Sequence, residues 1–117
     1  MGGPDTGAGM ITLDQVSEAI SFLSSTDEQY GTLKAGFMAQ KELLRCTYSL
    51  SFLETEKGSV EHRKAVSYAS QRYIQAVSDY KDSCASYEIL RARRLSAELT
   101  VETWRSISSA RNHGQII

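Results

Sequence analysis

A chain of 117 residues makes one domain at most. Hydrophobic residues supply 41% and charged residues 23%, which excludes wholesale disorder. The net charge of −1 conceals a polarity. Residues 1–58 carry four basic against eight acidic side chains, net −4, whereas residues 91–117 carry five arginines against two glutamates, net +3. Such polarity fits an anionic partner at the C-terminal end, or head-to-tail pairing of acidic and basic parts.

Residues 1–10 read as a disordered tail, with Met10 as the natural start. Gly2 to Thr6 fits the loose pattern M-G-x-x-x-[ST] for myristoylation. Pro4 lies inside it, and one acyl chain anchors weakly. Residues 11–117 read as a single helical domain.

Thr12 is a helix N-cap, and Gln15 three residues on completes a capping box. The spacing predicts a first helix over 13–24, with Val16, Ala19, Ile20 and Leu23 on one apolar stripe. Ser25 or Thr26, with Glu28 or Gln29, forms a second box. That predicts a new helix from 26 to 57, with Lys57 in its last turn and Gly58 as its stop.

This second helix is apolar on two sides. Tyr30, Leu33, Phe37, Leu44 and Tyr48 form one face. Ala35, Ala39, Leu43, Cys46, Leu50 and Leu53 form the other, at spacings of 4, 4, 3, 4 and 3. Both faces need cover. With a single other long helix in the chain, the second face calls for another copy.

Ser59 is positioned to cap a short helix from Val60 to Ala69, and Ser70 to cap a long one starting at Gln71. The stretch 71–111 holds no proline and no glycine. As one helix it would be about 60 Å long. Tyr73, Val77, Tyr80, Cys84 and Tyr87 recur in a coiled-coil rhythm. The phase then slips, and Leu90, Ala97, Val101 and Trp104 resume the stripe, with Arg94 between Leu90 and Ala97. Asn112, His113 and Gly114 are expected to end the helix.

Catalytic and metal signatures are missing. His62 and His113 stand apart from each other and lack metal-ligand spacing. No nucleophile elbow or phosphate-binding loop occurs. The residues therefore imply no enzyme, no metal and no cofactor. Cys46 and Cys84 fall on apolar stripes without a CxxC, and read as reduced core residues. No apolar run approaches the ~20 residues of a membrane span, and no secretory signal is visible.

The one constellation with chemical content is Arg91, Arg93, Arg94, Arg105 and Arg111. Guanidinium groups in a row along a helix can track a nucleic-acid backbone. They can equally pair with Glu88, Glu98 and Glu102, or with acidic residues of a neighbour such as Glu54 and Glu56.

The order of signals resembles a group of small helical proteins of tailed bacteriophages, encoded beside recombination and single-strand-binding functions. The matching stretches are Ser25-Thr26-Asp27-Glu28 and Gly58-Ser59-Val60-Glu61-His62-Arg63, then Ala69-Ser70 before Tyr73. They continue with Tyr87-Glu88-Ile89-Leu90-Arg91-Ala92-Arg93-Arg94, Glu102-Thr103-Trp104-Arg105-Ser106 and Ala110-Arg111. Gln71 stands where that group would carry a proline. The layout, without matched residues, is also similar to phage recombination mediators of the UvsY type. The resemblance implies a cytoplasmic setting in a bacterial host.

The expectation is thus an all-α, coiled-coil-like protein: a long antiparallel helical hairpin, 26–57 against 71–111, with a short N-terminal helix across it. It is expected to form a homo-oligomer through Ala39, Leu43, Cys46, Leu50, Leu53, Tyr73, Tyr80, Tyr87 and Trp104. The expected function is a non-enzymatic accessory of phage DNA recombination or replication, binding single-stranded DNA through Arg91, Arg93, Arg94, Arg105 and Arg111. The alternative is an oligomeric helical adaptor that binds a phage or host protein and no nucleic acid. Neither reading places the protein in a membrane.

Overall fold

A computed structural model describes residues 10–116, with side chains described as far as His113. The acylation pattern and the tail expected before Met10 lie outside the described residues. The chain is all-α: α1 (Leu13–Glu54), α2 (Val60–Ala69) and α3 (Gln71–Ile116). Two compact units divide the described residues, one drawn from within 1–28 and 90–117 and the other Gln29–Ile89. In each, a stretch of α1 pairs antiparallel with a stretch of α3, so the architecture is a helical hairpin.

The capping chemistry is as expected at three starts. Thr12 N–H donates to Gln15 Oε1 at 2.9 Å, and Gln15 N–H returns a bond to Thr12 Oγ1 at 3.1 Å. Ser59 accepts from His62 N–H at 3.2 Å, and Ser70 accepts from Tyr73 N–H at 3.2 Å. Both serines are extended, which turns the chain into α2 and then α3 without a longer loop.

The expected break between residues 24 and 26 is absent, so there is no separate N-terminal helix. The hydroxyls there bond backward instead of capping forward. Ser25 Oγ donates to Phe22 O at 3.2 Å and Thr26 Oγ1 to the same carbonyl at 2.7 Å. Serine and threonine tolerate either role, and a bond to a preceding carbonyl keeps the helix running.

At its other end α1 stops at Glu54, three residues before the expected Lys57. Arg63 of α2 supplies the reason. Its Nε donates to Thr55 O at 2.7 Å and its Nη2 to Phe52 O at 3.2 Å. The guanidinium also lies 4.3 Å from the centroid of the Phe52 ring. It satisfies two carbonyls at the negative end of the helix dipole, the task expected of Lys57. Gly58 follows with φ 107°, and a Cβ there would stand 2.5 Å from His62 Cδ2. The turn therefore requires glycine.

The third helix passes through Asn112, His113 and Gly114 to Ile116. Among the described residues only Gly58 takes the left-handed conformation that ends helices, so the expected stop is not used.

In the 29–89 unit the core is aromatic. Phe37 stacks on Tyr87, centroids 5.2 Å apart and planes 4° apart, and on Tyr80 at 5.8 Å. Tyr30 stacks on Tyr87 at 5.5 Å, with the two hydroxyls 3.3 Å apart. Near the turn Ser51 Oγ and Ser70 Oγ are 3.2 Å apart, beside a fully buried Ser67 that donates to Arg63 O.

Replacing Arg63 with alanine is expected to lower stability by about 2 kcal/mol, because two helix-terminal carbonyls lose a charged donor. Arg63→Lys should restore only part, since one ammonium cannot fork to both carbonyls and stack on Phe52. Thermal unfolding followed by circular dichroism measures both.

Candidate functional site

Surfaces, not a cleft, carry the candidate chemistry. The face of α1 bearing Tyr30, Leu33, Phe37, Leu44 and Tyr48 is half-buried against its own chain, as its spacing required. The opposite face is open. Leu43 is 53% exposed, Leu50 51% and Leu53 67%. Ala39 and Cys46 stand exposed between them. Cys46 is therefore a free surface thiol and not the core residue expected, whereas Cys84 is half-buried.

The four other residues expected at an interface are half-buried. Tyr80 and Tyr87 join the Phe37 stack. Tyr73 lies edge-on to Tyr48, centroids 5.8 Å apart, and to Tyr68 at 5.4 Å. Tyr48 and Tyr68 are closer still, at 4.8 Å. Burial among these rings, a hydrogen bond to Tyr68 and the negative charge of Glu61 nearby raise the Tyr48 phenol above the ordinary value of 10.0.

The five arginines in the C-terminal half of α3 do not act alike. Arg94 faces inward and its side chain is 15% exposed. Its Nη1 donates to Leu23 O at 2.9 Å and Thr26 Oγ1 at 2.8 Å, and its Nη2 to Asp27 Oδ1 at 2.6 Å. A guanidinium committed to three acceptors is not available to phosphate. Arg105 is exposed and pairs with Glu102 at 3.2 Å. Arg91 is exposed. Arg93 and Arg111 are exposed and make no ion pair among the described residues.

Folding also cancels the charge polarity of the sequence. The described part of the unit holding these arginines brings Asp14, Glu18, Asp27 and Glu28 into the same body as Glu98 and Glu102. Five arginines then face six carboxylates. That end of the sequence is basic, but the body it folds into is not.

The same unit holds an open groove of about 820 Å³. Ile11, Glu18, Ala19 and Phe22 line one wall, and Arg93 and Ala97 the other. Among the described residues no three His, Cys, Asp or Glu side chains are grouped to hold a metal ion. No helix there is long and apolar enough to cross a membrane.

Sequence reasoning missed Arg63 and Arg94 as structural residues, and missed the Tyr48–Tyr68–Tyr73 cluster. For Arg94 a signal existed, because it occupies a stripe position between Leu90 and Ala97. For Arg63 none did, since its partners lie eight and eleven residues back, at the end of α1 and just past it. No family model, curated protein or solved structure matches the chain.

Arg94→Ala is expected to cost about 2 kcal/mol, because Leu23 O and the buried Thr26 hydroxyl lose a charged donor, while the pair with the 68% exposed Asp27 is screened by solvent and adds little. The thermal midpoint should fall while helix content persists at low temperature.

For Tyr48 the folded chain favours the neutral phenol. Its stabilising share is complete below the ordinary phenol range and is lost as pH rises through the raised value. Alkaline absorbance titration should show a late-ionising component that is lost in Tyr48→Phe. The same variant should lose stability less steeply above about pH 10.

Proposed function

We propose that this chain works by association and not by catalysis: a helical accessory protein that assembles with copies of itself. The observation that carries this reading is the open stripe of α1. Leu43, Leu50 and Leu53 are each more than half exposed, at seam spacing, on a helix whose other face is already packed. A protein that leaves such a seam in water gains by covering it with another helix.

Light scattering on the purified protein tests this. Wild type should run above the monomer mass, and Leu43→Glu with Leu50→Glu should return it to monomer without loss of helix. A wild type that stays monomeric at every concentration would sink the reading.

A second reading is favoured by Arg93 and Arg111, which keep exposed guanidinium groups without an ion pair among the described residues. Trp104 follows Arg93 by eleven residues and precedes Arg111 by seven, spacings that keep all three near one side of α3. Cations beside an aromatic ring suit single-stranded DNA. With the resemblance to phage early-region proteins, this makes the chain an accessory of phage DNA recombination or replication in the bacterial cytoplasm. Arg91 and Arg105 would extend the contact, and a phage or host recombination protein would be the further partner.

Binding to an oligonucleotide across a salt series tests it. Affinity should fall with salt, and removing Arg93 and Arg111 together should flatten the log–log slope by about 1.4. No binding at low salt, or a slope unchanged in the double variant, would leave the adaptor reading alone.

A further inference from the structure

We propose that the open groove between the 11–22 and 93–100 stretches seats an amphipathic helix of another protein, acidic along one flank and basic along the other. The proposal uses a different surface from the outer stripe of α1 and does not depend on self-association.

The groove holds about 820 Å³ between two helical walls. Ile11, Ala19 and Phe22 give one wall its apolar floor, and Ala97 gives the other. Alanine stands in the middle of each wall, with the larger Ile11 and Phe22 at the two ends. From Ile11 to Phe22 the floor runs about 16 Å, or three helical turns. An alanine waist lets a third helix approach both walls closely, near the lower end of the about 8–10 Å between packed helix axes.

The walls select against other occupants. Both helices bond their own backbone groups internally, so no strand edge is offered to an extended peptide. Such a peptide would leave its own N–H and C=O groups without partners on an apolar floor, whereas a helix brings its backbone already satisfied. A small molecule needs a site that buries most of its surface, and a groove open along its length does not supply one.

Charge sets the character of the partner. Glu18 stands on the α1 wall and Arg93 on the α3 wall. Both are exposed, and neither makes an ion pair among the described residues. Arg94, next in sequence, bonds to Leu23 and Thr26, which fixes Arg93 at the Phe22 end of the groove. A helix seated there meets an anion along one side and a cation along the other. Its complement carries an apolar stripe, with carboxylates facing α3 and ammonium or guanidinium groups facing α1. Reversing that helix would bring like charges together at both walls, so the pattern also fixes its direction. The contact covers apolar surface that the two helices of this unit leave open.

The probe is a synthetic, helix-stapled peptide of about four turns, with leucines on one stripe, glutamates along one flank and lysines along the other. Stapling removes the ordering cost of a short helix. A second peptide carries lysines along both flanks. Fluorescence anisotropy with the full chain should show the mixed-charge peptide binding wild type about fivefold more tightly than the all-lysine peptide. Arg93→Glu should reverse that preference, a change that loss of folding cannot produce. Ala97→Phe should weaken binding by more than about tenfold by filling the floor, with helix content unchanged by circular dichroism. Leu43→Glu with Leu50→Glu should bind as wild type does. No binding of the mixed-charge peptide to wild type, or a preference that Arg93→Glu does not move, would overturn the site. Binding lost in the Leu43→Glu, Leu50→Glu variant would place the peptide on the outer stripe of α1 and overturn it equally.

Discussion

Two helices side by side shield one stripe of each other and nothing more. The consequences run through this molecule. Among the described residues only Val16, Ala19 and Leu90 are buried hydrophobics, while fourteen large hydrophobics are exposed. The inward faces are closed by rings that stack flat, because Tyr30, Phe37, Tyr80 and Tyr87 bury wide surfaces with few rotatable bonds. The outward faces have nothing within the same unit to cover them. Leu43, Leu50 and Leu53 remain in water for a geometric reason, and lengthening either helix would only extend the uncovered stripe.

Where apolar contact is scarce, charged hydrogen bonds to backbone and hydroxyl oxygens take a larger share. Arg63 closes the end of α1 by holding two carbonyls, and Arg94 braces α1 where serine and threonine crowd its interior. Both positions suit arginine better than lysine, because a planar fork meets several acceptors at once and its stem packs on apolar neighbours. Such residues look functional in a linear sequence, yet they act locally, on the helix they hold.

The elements whose signals are local were legible from sequence. Thr12 with Gln15, Ser59 and Ser70 each satisfy backbone donors within three residues, so pattern and outcome coincide. The inward and outward faces of α1 followed from periodicity alone. The break placed near Ser25 did not form, because a hydroxyl that can cap forward can also bond backward, and the choice depends on what lies across the helix pair. Asp27 and Thr26 meet Arg94, which is 67 and 68 residues away in sequence. No local rule reports a contact of that range. The same limit explains Cys46, whose place on a stripe was clear but whose covering partner was not.

Charge gives the sharpest case of sequence and fold disagreeing. Read linearly, the last 27 residues are basic and the first 58 acidic. Folding returns the chain on itself, so carboxylates from residues 14–28 share one body with arginines from 91–111. At physiological ionic strength the Debye length is about 8 Å. Beyond that distance the net charge of so nearly neutral a body contributes little to steering. Any anion must then be met at close range, by guanidinium groups that keep free hydrogen-bonding capacity. Net charge then gives no ground for preferring nucleic acid to protein, and preference for either rests on the contact chemistry of the exposed faces.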